Sequence, residues 1–400
     1  MNNEDSGQSN HEPSGSDKDS QTSPVTRSLP RREINFRFSS RFVPILNQTR
    51  CALLASTYAA GKVAAIGTGP DGLRLSFSNF QQAMGIAAGP RGLAIGGPNL
   101  IWFLRDAGSL ATRIEPIGPD GVGPFDRGYL TRESFVTGNI QIHEMGWGSQ
   151  GELWVVNTLF SCLCTLHEDY SFVPRWQPSF ITELAPEDRC HLNGMAMVDG
   201  KPKYVTALGT SNAKRGWRDN KSSGGVLIDV DSGETIAAGF CMPHSPEVHQ
   251  GKIFLLDSGH GQLVKVDPVS GDVETITRYP GYGRGMSIHG QFAFIGMSKA
   301  RETSVFGGVP ICEDRSAMRC GIVVVDLLAG ECVAYLEFQT GVEELFDVQV
   351  LPQTYSPVLC GPYPVEDQQS PTWVIPNSEL VPGLVSDNGS NGAVKRSDRD

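Results

Sequence analysis

Five stretches of this chain repeat one short pattern, and no other feature of the sequence constrains its fold as strongly. They read Ala83-Met84-Gly85-Ile86-Ala87, Glu144-Met145-Gly146-Trp147-Gly148, Leu192-Asn193-Gly194-Met195-Ala196, Pro243-His244-Ser245-Pro246-Glu247 and Gly283-Arg284-Gly285-Met286-Ser287. A turn and a short apolar strand follow each one. The copies lie roughly 40 to 60 residues apart, the period of propeller blades.

The apolar runs after the repeats read as second strands: Gly92–Gly96, Leu153–Asn157, Lys203–Ala207, Ile253–Asp257 and Phe292–Gly296. Third strands follow at Val226–Val230, Leu263–Asp267 and Ile322–Asp326. These three run into turns ending in Gly and an acid, such as Asp231-Ser232-Gly233-Glu234. Glycine there supplies the positive φ that a hairpin turn needs. Blades are therefore expected at 82–115, 141–180, 191–240, 242–280 and 283–338, with a first blade at 50–80. The run Phe346–Leu351 can add a strand back to that first blade and close the ring. Closure removes the bare sheet edges that invite aggregation. The expected fold is all-β, a six-bladed β-propeller over residues 34–362. Seven blades is the alternative, since 116–140 is long enough to hold further strands. A sandwich or an array of small domains accounts less well for four strands per repeat in a shared register.

Composition sets the remaining bounds. A length of 400 residues suits one large all-β domain. Residues 1–33 and 363–400 are expected to be disordered tails, being poor in the side chains that offset ordering entropy. A net charge of −11 argues against nucleic acid or an anionic membrane as partner. No apolar run approaches the ~18 residues of a membrane span. The start of the chain lacks the apolar core of a secretory signal, so a cytoplasmic location is expected. The nine cysteines show no framework spacing and read as free thiols in a reducing compartment.

Topology then suggests where chemistry sits. Residues that begin first strands and end second strands should converge at one mouth of the central channel. Aligning the copies makes Met84, Met145, Asn193, His244 and Arg284 equivalent, with His143 and His191 equivalent two positions earlier. Second strands end at Asn157, Ala207 and Asp257. The expected mouth therefore holds His143, Asn157, His191, Asn193, His244, Asp257 and Arg284. Two readings stay open. His143, His191 and His244 can ligate a divalent metal, or the histidines with Asp257 can act as general acid and base near neutral pH. A third is that these polar groups only satisfy one another. Two long loops should overhang the mouth. They carry Trp217, Arg218 and Lys221, and Lys299 and Arg301, giving a basic rim on an acidic protein that suits an anionic small molecule. Trp217 in so charged a loop reads as an exposed ring able to stack on a ligand. No G-x-S-x-G elbow, Walker A loop or H-E-x-x-H is present.

Several further stretches carry a family resemblance. They are His143-Glu144-Met145-Gly146-Trp147, Phe172-Val173-Pro174-Arg175-Trp176, Pro186–Gly194, Gly216–Lys221, Met242-Pro243-His244-Ser245-Pro246, Ser298–Glu302 and Phe346–Pro352. Over about 35 to 360 the chain resembles the bacterial proteins grouped as domain of unknown function 4915. The resemblance implies the fold and no particular reaction. A fainter likeness is to six-bladed propellers of the gluconolactonase and regucalcin type. There an Asn-Gly at the start of a first strand supplies a metal ligand, as Asn193-Gly194 would here. This chain departs in offering His where that group uses mostly Glu, Asn and Asp. The expected function is binding of a small, anionic molecule at one channel mouth, with metal-assisted hydrolase, lactonase-like or isomerase chemistry as its catalytic form. The alternative is a non-enzymatic scaffold for a protein partner.

Overall fold

The computed structural model describes residues 34–115, 123–299 and 308–375. Of the expected tails at 1–33 and 363–400, the first and residues 376–400 of the second lie outside the described residues.

Six sheets make six blades. Blade 1 pairs Cys51–Thr57, Lys62–Gly69 and Gly72–Asn79 with Asp347–Pro352 as its innermost strand. Blade 2 holds Ile86–Gly89, Gly92–Gly96, Leu100–Asp106 and Arg127–Val136. Blade 3 runs Ile142–Trp147, Leu153–Asn157, Cys162–His167 and Tyr170–Trp176. Blade 4 runs Leu192–Val198, Lys201–Ala207, Gly225–Asp229 and Thr235–Phe240. Blade 5 runs Pro243–His249, Lys252–Asp257, Gln262–Val266 and Val273–Arg278. Blade 6 runs Tyr282–His289, Phe292–Ser298, Cys320–Asp326 and Glu331–Phe338. The long segment that left seven blades open instead supplies the fourth strand of blade 2.

The ring closes as expected. Asp347–Pro352 lies antiparallel to Cys51–Thr57, with Ser56 opposite Asp347 and Cys51 opposite Pro352. Two further strands cover outer edges. Phe36–Phe38 adds to blade 6, and Pro357–Cys360 runs parallel to Arg127–Val136 of blade 2. The packed chain continues beyond 362, since Asp367 is buried and accepts the Asn79 backbone N–H at 2.7 Å.

The strands read as unbroken apolar runs because each sheet is buried on both faces. Ala52 and Leu54 pack toward blade 2, whereas Leu53 and Ala55 pack toward blade 6. Such a cluster fills each of the six interfaces between neighbouring blades. Burial of this kind contributes about 25 cal/mol per Å² of apolar surface, so closure matters as much as any single blade.

The repeat also has a local cause. Gly285 takes φ +73°, and a Cβ there would collide with the backbone of Asp347 and Val348. A Cβ at Gly85 would collide with the His143 carbonyl. Glycine at these places lets neighbouring inner strands approach around a narrow channel. The outer turns repeat as well. Asp229, Asp267 and Asp326 each accept two backbone N–H groups of the turn that follows. Gly233, Gly271 and Gly330 then take φ of 73°, 74° and 70°.

Candidate functional site

Three chain segments enter the inner strands of blades 3, 4 and 5 through a left-handed residue: Gln141, His191 and Met242, at φ of 52°, 51° and 55°. Such a conformation is costly for a side chain with a Cβ, of order 1 kcal/mol or more each, and persists only where the surroundings enforce it. The strand ladders correct the expected alignment. Met145 pairs with Val155 and Met195 with Val205, so Met145 is level with Met195. Asn193 is therefore level with His143, and His191 is the counterpart of Gln141.

These segments, with blade 6, surround a cavity of about 230 Å³ lined by Gln141, Asp188, His191, Arg215, Trp217, Arg218, His244, Tyr282 and Arg284 among others. Its floor is an apolar cluster that includes Leu208, Trp217, Met242 and Tyr282.

Hydrogen bonds assign the tautomer of each histidine here. His143 Nδ1 lies 3.1 Å from the Gln141 carbonyl and 2.8 Å from Thr158 Oγ1. That hydroxyl donates to the Leu192 carbonyl at 2.5 Å, so it accepts from the ring and Nδ1 carries the proton. His244 repeats the arrangement: Nδ1 lies 2.9 Å from the Met242 carbonyl and 3.1 Å from Ser258 Oγ. Ser258 in turn donates to the Gly283 carbonyl at 2.7 Å. Burial holds His143 well below the ordinary histidine range, with His191 and Arg284 adding to the effect. Burial and then Arg284 do the same for His244. Both rings are thus neutral with an Nε2 lone pair. His191 differs, because its Nδ1 faces a carboxylate, Asp188 Oδ1 at 2.8 Å. The other Asp188 oxygen accepts from Trp217 Nε1 at 3.1 Å. The His191 ring lies tilted against Trp217, at 43° with centroids 4.6 Å apart, and meets His143 edge-on at 5.0 Å.

Arg284 completes the group. Its guanidinium sits over the Phe346 ring at 4.1 Å, pairs with Glu344 at 3.2 Å and points Nη2 at His143 Nε2, 3.4 Å away. Its buried Nε has no hydrogen-bond partner among the described residues.

Of the expected site residues, the mouth therefore unites His191, His244, Trp217, Arg218 and Arg284, with His143 behind them. The others go elsewhere. Asn193 is 1% exposed, donates to the Pro243 carbonyl at 2.9 Å and accepts from Thr206 at 2.6 Å. It ties blade 4 to blade 5. Asn157 is fully buried and accepts the Phe160 N–H at 3.1 Å. Asp257 accepts the Cys241 N–H at 2.7 Å and faces His260 at 2.7 Å, so it fixes a loop. Lys221 and Lys299 are not among the residues that line the cavity, and Arg301 lies outside the described residues. Trp217 is not the expected exposed ring: it is 2% exposed and part of the cavity floor. Arg218 lies against it, 5.3 Å from the ring centroid. The histidines do not form a metal-ligand set either. Among the described residues no three His, Cys, Asp or Glu side chains are placed to hold a metal ion. Each Nδ1 is engaged locally, and a guanidinium stands at His143 Nε2. The nine thiols are free, and among the described residues no helix is long and apolar enough to cross a membrane.

Sequence reasoning missed Asp188, Gln141, Tyr282, Glu344 and Phe346. Asp188 had a signal, since it precedes His191 by three residues. Gln141, Glu344 and Phe346 lie on approach segments that no periodicity marks, and Tyr282 opens the inner strand of blade 6.

It also missed a larger cavity of about 400 Å³ at the opposite ends of the inner strands, lined in part by Glu144, Ser245, Glu247, Asp347 and Met195. Its three acids come from alternate blades, and each accepts a backbone N–H of the next. Glu144 accepts from Met195 at 2.6 Å, Glu247 from Ile288 at 2.9 Å and Asp347 from Ile86 at 2.7 Å. These bonds give the acids a structural task. The smaller mouth is the better chemical candidate, because it joins a carboxylate-oriented imidazole to a guanidinium side chain.

Solved structures of similar shape include a nidogen/laminin complex, 9% identical over 76% of this chain and 99% of that chain, with a TM-score of 0.46. Another is a protein of unknown function from Bacteroides caccae, 10% identical over 75% of this chain and 98% of that chain, at 0.46. A third is the selenomethionine-substituted virginiamycin B lyase from Staphylococcus aureus, 9% identical over 77% of this chain and 100% of that chain, at 0.37. No curated protein matches the sequence. The family model described as domain of unknown function (DUF4915) matches residues 40–360, and the chain belongs to that family.

Proposed function

We propose that this DUF4915 member binds a small organic anion, one bearing a carboxylate or phosphate, at the mouth formed by blades 3 to 6. The observation that carries the reading is Arg284. Its side chain lines the cavity, 16% exposed, with the guanidinium held from one side by Phe346 and Glu344. Arg215 and Arg218 line the same cavity and add positive charge at its rim. Guanidinium groups suit carboxylate and phosphate because their donors match both oxygens of either group. A volume near 230 Å³ admits a molecule of metabolite size rather than a polymer.

The test is calorimetric titration of a panel of small carboxylates and phosphates into the wild type and Arg284→Gln. Binding by the wild type that the variant loses, with the melting temperature retained, supports the site. A panel member that binds both proteins equally would place the anion elsewhere.

A further inference from the structure

The mouth also has the parts of a proton-transfer site, and this inference rests on the anion-binding reading above. We infer that His191 acts as a general base at its Nε2, abstracting a proton from the carbon next to the carbonyl of a bound carboxylate such as a 2-oxo acid. Asp188 is its positioning residue.

Only one of the three imidazoles is equipped for the task. His143 and His244 give their Nδ1–H to carbonyl and hydroxyl oxygens. Those partners fix a tautomer but do little to stabilise an imidazolium. The Nδ1 of His191 meets a carboxylate instead, which both fixes the proton on Nδ1 and stabilises the cation formed when Nε2 takes a second proton. His143 Nε2 already faces a donor on Arg284.

The backbone supports the same assignment. Asp188 and His191 both adopt left-handed φ, 52° and 51°. The turn is held from outside by Arg189, which is 6% exposed and reaches Glu183, Glu187 and Asn212. The Asp188 N–H is fixed on the Leu159 carbonyl at 2.8 Å. The left-handed φ of His191 is shared with Gln141 and Met242 and belongs to the strand entry, whereas the clamp on the Asp188 turn fixes the carboxylate that orients the ring.

The step balances without a further reactant. The C–H bond breaks and an N–H bond forms at His191 Nε2. The electron pair moves into the adjacent carbonyl, leaving an enolate oxygen that the Arg284 guanidinium can face. Return of a proton from Nε2 to carbon restores both partners, and in D2O it returns as a deuteron.

Proton exchange in D2O therefore tests the inference. The probes are pyruvate and 2-oxobutyrate, with binding followed by calorimetry and loss of the C3 proton signal by NMR. The wild type is expected to exchange at least about 100-fold faster than buffer, in keeping with general-base effects of 10² to 10⁴. Asp188→Asn keeps an oxygen for Trp217 but turns an amide N–H toward the ring, which moves the imidazole proton to Nε2. It should lose that exchange while still binding the 2-oxo acid, at least as tightly because a negative charge leaves the cavity lining, and the ¹⁵N shifts of His191 should report the swapped tautomer. Wild-type binding without exchange, or Asp188→Asn exchange at the wild-type rate, would overturn the inference and leave anion binding standing. Failure of either 2-oxo acid to bind also overturns it. Loss of binding across the wider carboxylate and phosphate panel is what would remove the anion reading itself.

Discussion

Glu144 of blade 3 accepts the backbone N–H of Met195 in blade 4 at 2.6 Å. The same bond recurs two blades later from Glu247 to Ile288, and across the seam from Asp347 to Ile86. Burial, followed by the charge of Asp347, pushes Glu144 up to about 8. Burial pushes Glu247 up to about 8 and Asp347 up to about 6. A bond that staples two blades is thus made by a group that resists ionising.

The first prediction concerns pH. Unfolded glutamate titrates near 4.5, whereas Glu144 and Glu247 keep their protons to about 8. Between those values the folded chain binds more protons, so their stabilising contribution is full below about 4.5 and is lost as pH rises toward 8. His143 and His244 act in the other direction: the unfolded chain takes up their protons below about 6.5, and stability falls with acid. Denaturant melts of the wild type and Glu144→Gln/Glu247→Gln from pH 5 to 8.5 check this. The variant should gain on the wild type as pH rises, by at most about 1.4 kcal/mol per unit for each group. A difference that does not change with pH would refute it.

Arg284→Gln should weaken anion binding by about 10- to 100-fold, the worth of a charge-assisted hydrogen bond of about 1.5 to 3 kcal/mol. Glu344 then loses its ion pair with Arg284, and the loss of affinity should shrink as salt is raised. Titration at two ionic strengths measures both effects.

Asn193→Leu should behave oppositely. It leaves the Pro243 carbonyl and the Thr206 hydroxyl without partners in a buried place. A cost of about 2 to 4 kcal/mol is expected, with anion affinity unchanged in the protein that remains folded. Thermal melts beside titrations separate the two, and a selective loss of affinity would return Asn193 to the site.

Ending the chain after Phe346 removes the inner strand of blade 1 and bares Cys51–Thr57. Such a chain should lose its cooperative melt. Ending it after Gln353 keeps that strand and removes the outer cover, the strand Pro357–Cys360 on blade 2 together with the bonds that Ser78 and Asn79 of blade 1 make to Leu359 and Asp367, so a cooperative melt at lower temperature is expected. Equal melts for the two truncations would mean that closure contributes little.

The fold was legible because its determinants are periodic. Glycine recurs where inner strands crowd, and Asp and Gly recur at the outer turns. Each strand's apolar run also records burial on both faces. The mouth was half legible. His191, His244 and Arg284 sit beside repeat positions, so register alone brought them together. Bulges spoiled the finer alignment: the ladder of blade 5 shifts between His244 and Glu247, and that of blade 6 between Gly283 and Met286. Such shifts leave no trace in residue spacing. Asn193 and Asp257 could not be told from ligands, since a buried amide or acid looks the same in sequence whether it bonds backbone or substrate. Trp217 misled because charged neighbours point outward while its own ring turns in.

The seam of the ring also sets an order on the chain's manufacture. The Asp347 N–H and its partner Ser56 Oγ are 291 residues apart, a stretch that takes a ribosome about 15 to 60 s at typical elongation rates. Throughout that interval the first strands to emerge have an apolar edge and nothing to pair with it, while later blades can already assemble. The blade translated first is the last one finished, and its edge stays bare until the final strand arrives.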